Sequence, residues 1–217
     1  RLQVDYRQNY KANYKHKYSN MAKITFTNKT DNSTSALAEI YKVTAANVNE
    51  IKTSVNAIYD TLGGFAFYED TATTATPINL ATDTWTDLTN NKAGSGTLTT
   101  HKPSYVTGDL WDSATNTIDL GELPAGSVVL VRNDYDITTG AANTRMDSRL
   151  YFPDTTKSVE FSHDTIASSG TEVRYSRTTQ FFVTDAIKTS GVKIQVKVDK
   201  SGATARVEDF QITILSF

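Results

Sequence analysis

In the stretch VTAANVNEIKTSVNAIYDTLGG, Val48, Ile51, Val55, Ile58 and Leu62 follow one another at spacings of three, four, three and four, a strict a/d seam. Thr44 fits the N-cap position and the Gly63-Gly64 pair fits the stop, which predicts a helix of about 19 residues, roughly 28 Å long. A stripe this narrow does not cover the face of a globular domain, which needs a third apolar position per heptad. It suits a coiled coil. β-Branched residues stand at both a (Val48, Val55) and d (Ile51, Ile58), a choice that disfavours the parallel dimer and points to a homotrimer. So short a seam is marginal alone, so a neighbouring domain has to share the contact between copies. The competing reading is an amphipathic helix packed on its own β domain.

From Phe65 onward the period changes to two. Strands are predicted near 76–80, 116–123, 127–135, 148–152, 158–162, 172–184, 191–199 and 205–215, with turn residues and no helix between them. Threonine, about one residue in six, favours strands and side-chain-bonded turns. An antiparallel jelly-roll sandwich is the economical architecture. Within it, Val192, Ile194, Val196 and Val198 alternate with Lys193, Gln195 and Lys197, which makes that strand buried on one face and wet on the other. Val128–Val131 and Phe181–Val183 are apolar on both faces, so something covers the second one: the opposite sheet in a monomer, neighbouring subunits in a trimer.

Residues 1–30 carry seven Lys or Arg against the single Asp5, although the whole chain of 217 residues has a net charge of −2. Tyr6, Tyr10, Tyr14 and Tyr18 fall four apart, interleaved with Lys11, Lys15 and Lys17. Three readings stay open for this arm. It is a disordered segment, a docking arm that orders on an acidic surface of a larger assembly, or, most weakly, a nucleic-acid contact. The chain opens on Arg1, and Met21 begins the more conventional MAKITFTNKT, so residues 1–20 read as an upstream extension, a processing remnant or an added segment. Residues 22–30 read as a short strand.

No apolar run approaches a membrane span, and no apolar signal core is visible, which argues against membrane insertion and conventional export. With no cysteine and only His16, His101 and His163, thiolate chemistry is excluded and metal ligands are scarce. No catalytic constellation, cofactor motif or metal motif is present, and the chain reads as non-enzymatic. The acidic pairs Asp83/Asp87, Asp109/Asp112 and Asp134/Asp136 read as solvated turns; a calcium ion held between three chains would leave no local motif. What remains is a recognition surface. Its expected contacts are Tyr105, Trp111, Tyr135 and Arg145, carried on the loops 93–116 and 133–148.

The segment KVTAANVNEIKTSVNAIYD resembles the short helical element that recurs in fibre and structural proteins of tailed phages. The C-terminal 150 or so residues, most of all PAGSVVLVRNDYDI and ARVEDFQITI, are similar in pattern to the tumour-necrosis-factor-like and C1q-like jelly rolls that end such fibres. The resemblance implies a trimeric fibre on the virion surface. The basic arm over 1–43 would attach it to a capsid or tail protein through Tyr6, Tyr10, Tyr14, Tyr18, Lys11 and Lys15. The helix over 44–64 would align three chains, and the jelly roll over 65–217 would meet a host-surface glycan or protein. The alternatives are a decorating or spacing fibre that binds no receptor and a secreted C1q-like or carbohydrate-binding module.

Overall fold

A computed structural model of the chain describes residues 45–61 and 63–215. The basic arm, with Tyr6, Tyr10, Tyr14, Tyr18, Lys11 and Lys15, lies outside the described residues, as do the strand predicted at 22–30, Thr44 and Leu62. The chain divides between Thr61 and Leu62 into two compact units.

In the first unit the predicted helix is present as α1 (Ala45–Thr61). Of the seam positions, Val48 is half-buried, while Ile51 is 59% and Val55 44% exposed. Ile58 lies within α1. An Ile and a Val left in water on one stripe represent about 25 cal/mol for each Å² of apolar surface that a partner would remove from solvent.

The second unit is mainly β and antiparallel, as the alternation predicts. Its strands are β1 (Gly64–Glu69), β2 (Ile78–Leu80), β3 (Thr86–Asp87), β4 (Trp111–Asp112), β5 (Thr117–Ile118), β6 (Val128–Thr138), β7 (Thr144–Phe152), β8 (Lys157–Ile166), β9 (Glu172–Phe182), β10 (Lys193–Val198) and β11 (Ala203–Leu215). A single helical turn, α2 (Ala72–Ala75), follows β1. The order β1-β11-β6-β9, with β2 also on β11, makes a five-stranded sheet; β3-β10-β7-β8 makes a four-stranded one. The antiparallel pairs are nested: β1 with β11, β3 with β10, β6 with β9, β7 with β8, and successive pairs fall in alternate sheets. This is one long hairpin wound around itself, the wrapping of a jelly roll.

The inward positions of both sheets form one core. Val129, Val131 and Ile137 of β6 and Phe210, Ile212 and Ile214 of β11 meet Ile194, Val196 and Val198 of β10 and Met146 and Leu150 of β7. Across the interface, the Phe152 and Phe181 rings sit edge to face at 5.3 Å. The expected half-wet strand is found in part: Val192, Ile194, Val196 and Val198 are fully buried and Lys193 and Lys197 keep partial exposure, but Gln195 between them is buried.

Three features depart from the sequence reading. The segment 133–148, read as a loop, is mostly the end of β6 and the start of β7, leaving only 139–143 as the turn. Polar residues at inward positions, such as the fully buried Asn133, hide the alternation there. The strand expected over 116–123 shrinks to Thr117–Ile118. The Gly63-Gly64 pair does more than stop a helix, because a Cβ on Gly63 would lie 2.1 Å from the Ile214 carbonyl oxygen and one on Gly64 2.3 Å from that of His101. Only glycine lets the chain enter β1 between these two backbones.

Candidate binding face

Two of the four expected contact residues are core residues. Trp111 is fully buried; its Nε1 donates to the Asn90 carbonyl at 2.8 Å, and its ring meets Phe210 edge-on at 4.8 Å. Tyr135 is also fully buried, stacked on Tyr175 with ring centroids 5.5 Å apart and its hydroxyl 2.6 Å from Ser148 Oγ. Burial, offset in part by that hydrogen bond, pushes the Tyr135 hydroxyl up to about 12. The expectation of exposed loop aromatics therefore does not hold for Trp111 and Tyr135: the first is locked opposite Ile118 in the β4–β5 ladder, the second takes an inward position of β6. Tyr105 is half-buried against the core. Arg145 alone is well exposed, and it lies on the outer face of the four-stranded sheet.

That face is organised by register. Asp87, Gln195 and Arg149 lie side by side across β3, β10 and β7, with Glu160 beyond them on β8; the next row runs Lys197, Asp147, His163. Trp85, just ahead of β3, lies over both rows, with the Arg149 guanidinium 4.0 Å and Lys197 Nζ 4.7 Å from its ring centroid. The same guanidinium is 4.8 Å from the Tyr151 ring. Its Nε donates to Gln195 Oε1 at 2.8 Å, and Gln195 Nε2 donates in turn to Asp87 Oδ1 at 2.7 Å. Asp87 also pairs with Lys193.

At the other end of the face, Asp147 gathers His163 (2.7 Å), Arg145 (3.1 Å) and Lys197 (3.3 Å). Burial raises the Asp147 carboxyl, but hydrogen bonds from His163, Arg145 and Lys197 outweigh it and hold the group below the usual carboxylate range. Arg145 is correspondingly raised by its hydrogen bond to Asp147. Arg149 moves the opposite way: burial lowers it, and the nearby Tyr151, Glu160 and Asp87 only partly offset this. A signal for this face existed in the sequence. In SRLYF and KIQVK the polar and aromatic residues Arg149, Tyr151, Lys193, Gln195 and Lys197 occupy the phase opposite to Leu150, Phe152, Ile194 and Val196. Wetness was legible; that distant rows share one Trp was not.

The outer face of the five-stranded sheet is of another kind. Asp136, 2% exposed, accepts from Arg174 at 3.0 and 3.2 Å and from Arg206 at 2.6 Å, and Glu208 sits 3.0 Å from each guanidinium. A register shift between Val207 and Asp209 makes room for Glu208. Burial alone would raise Asp136, yet the hydrogen bonds and charge of the two arginines win and lower it. A depressed folded pKa contributes stability that is fully present above the unfolded value near 3.8 and is lost as pH falls through the folded value. Asp136→Asn is therefore expected to cost about 2–3 kcal/mol at neutral pH, less than a fully buried pair because both arginines reach solvent. Thermal melts between pH 7 and pH 3 check this: the gap between wild type and variant should narrow below about pH 4, and a gap independent of pH would sink the account.

At the end of this sheet where β1 begins, the outer face is apolar. Phe182, Val128 and Leu215 form one row across β9, β6 and β11, and Phe182 is 65% and Leu215 42% exposed. The acidic pairs read as solvated turns mostly hold cations: Asp109 pairs with Lys92 at 2.8 Å, Asp134 with Arg132 at 3.3 Å, and Asp87 and Asp136 as above. Asp112 instead accepts from the Thr115 hydroxyl at 2.7 Å. Among the described residues no group of three or more His, Asp or Glu is placed to hold a metal ion, and no helix is long and apolar enough to cross a membrane.

Fold and faces together define an antiparallel two-sheet sandwich with one polar, aromatic-bearing outer face and one charged face that ends in an exposed apolar row. No protein-family model matches the sequence, and no curated protein matches it either. Among solved structures, the chain is similar to the PRD1 vertex protein P5, at 14% identity and a TM-score of 0.38, over 72% of this chain and 97% of that one. It is also similar to dimeric latent PorU from Porphyromonas gingivalis, at 10% identity and a TM-score of 0.31, over 71% of this chain and only 13% of that one. At these scores neither likeness defines the role of the chain.

Proposed function

We propose that this chain is a non-catalytic component of a phage virion surface, a homotrimeric fibre whose helix aligns three copies and whose sandwich meets a host surface. The observation that carries the reading is the exposed β-branched stripe of α1, Ile51 and Val55, on a helix whose sequence runs directly into a jelly-roll sandwich. So short a seam needs help from the domain beside it in sequence. The row Phe182, Val128 and Leu215, at the end of the sandwich where β1 starts, supplies apolar surface of the required kind. Three copies of one weak binding face on a rigid trimer raise avidity by roughly 10²–10⁴ without any strong single contact.

Light scattering of the full chain on a sizing column is expected to give three times the chain mass, and a monomer at micromolar concentration would remove the trimer and with it the fibre. Fluorescently labelled protein is expected to adhere to some members of a panel of bacterial cells. A trimer that adheres to none would instead be a decorating or spacing fibre.

A further inference from the structure

The outer face of the four-stranded sheet carries four cations, and three of them are held in ion pairs. Arg145 and Lys197 share Asp147, and Lys193 holds Asp87. Arg149 is the exception. Its guanidinium is half-buried between the Trp85 and Tyr151 rings, its Nε is committed to Gln195, and no carboxylate is within ion-pair distance of it among the described residues. The two terminal nitrogens form the fork that matches a planar carboxylate, and the flanking rings and the Nε bond fix its plane in advance. An ordered fork loses little freedom on binding.

From this geometry we infer that Arg149 is the anion-binding subsite of a glycan face, taking the carboxylate of an acidic sugar residue within a polysaccharide. The inference rests on the host-surface reading above and names the ligand class for it. One guanidinium fork matches one carboxylate, and the nearby Glu160 and Asp87 weigh against a more highly charged anion. Trp85 and Tyr151 hold the guanidinium in position from their rings and leave its terminal nitrogens for the ligand.

The test uses the full chain and polygalacturonate, a polymer of carboxylated sugar, with its fully methyl-esterified form as the neutral partner and dextran sulfate as a measure of bare charge attraction. Affinity electrophoresis and titration calorimetry are expected to show binding to polygalacturonate that esterification abolishes. Arg149→Gln should weaken it at least about tenfold, and Arg149→Lys, which keeps the charge but not the fork, by a similar factor. Lys188→Gln, a charge change outside the face, should leave it unaltered. The inference is overturned if wild type does not bind, if the ester binds as well as the acid, if Arg149→Gln binds as wild type does, or if Lys188→Gln weakens polygalacturonate binding as much as Arg149→Gln. Adhesion of the same proteins to cells separates the two levels. Cells bound equally by wild type and Arg149→Gln reject the acidic-sugar assignment and leave recognition standing. Cells bound by neither, with polygalacturonate binding intact and Arg149-dependent, reject recognition and leave the subsite standing.

Discussion

Trp111→Ala is expected to lower the melting temperature of the sandwich by about 10 °C, because truncating a fully buried Trp costs about 4 kcal/mol and each kcal/mol shifts a domain of this size by about 2–4 °C. The side chain has no exposed surface, packs edge-on against Phe210, and satisfies the Asn90 carbonyl through its indole N–H. Asn90 in turn donates to the Tyr68 carbonyl at 2.9 Å, and the Tyr68 hydroxyl accepts from the Leu110 amide at 2.7 Å. Removing the indole therefore opens a cavity and loosens the bond network that holds the segment before β4 onto β1. Trp111→Phe keeps most of the volume and loses one hydrogen bond, and should cost about 1 kcal/mol. Calorimetry of the three proteins decides between a core residue and a receptor contact: a contact residue would lose cell adhesion while the melting temperature stayed put.

The second large effect concerns assembly. Ile51→Asp combined with Val55→Asp is expected to reduce the mass of the full chain in solution from three copies to one. In the proposed trimer the pair places two carboxylates per chain in the shared seam, where buried unpaired charges are not tolerated. An isolated 17-residue helix is marginal in water, so far-UV circular dichroism should report lost helix while the β signal persists. Unchanged mass in the double variant would dispose of the seam, whatever the mass of wild type.

What was legible in the sequence follows from periodicity. The a/d spacing located α1, and the strict alternation of VKIQVKV gave both the strand and its wet face. Long strands were found where apolar residues recur at every second position, as in β6, β9 and β11. The short ones, β3 and β4, have two residues each and no period to detect. Tyr135 and Trp111 were misplaced for a shared reason. Each stands among Asn, Asp, Ser and Thr, and composition reads such neighbourhoods as loops. In the fold, those polar neighbours are consumed by internal partners: Asp136 by two arginines, Asp109 by Lys92 and Asp112 by the Thr115 hydroxyl. Arg149 and Trp85 were invisible as a pair because they are brought together only by the register of β3, β10 and β7.

The nested pairing also governs when the domain comes into being. β1 is among the first segments of the sandwich to leave the ribosome, and its partner is β11, with Gly64 opposite Ile214. β11 is simultaneously the neighbour of β2 and β6, so without it the five-stranded sheet is three unconnected pieces: β1, β2 and the β6–β9 pair. Such long-range pairing belongs to the slow-folding, millisecond-to-second class, and the sheet closes only once β11 is available. A chain interrupted before β11 leaves β1, β2 and one edge of β6 without a partner, so the last long strand is the one that joins the separate parts of the five-stranded sheet.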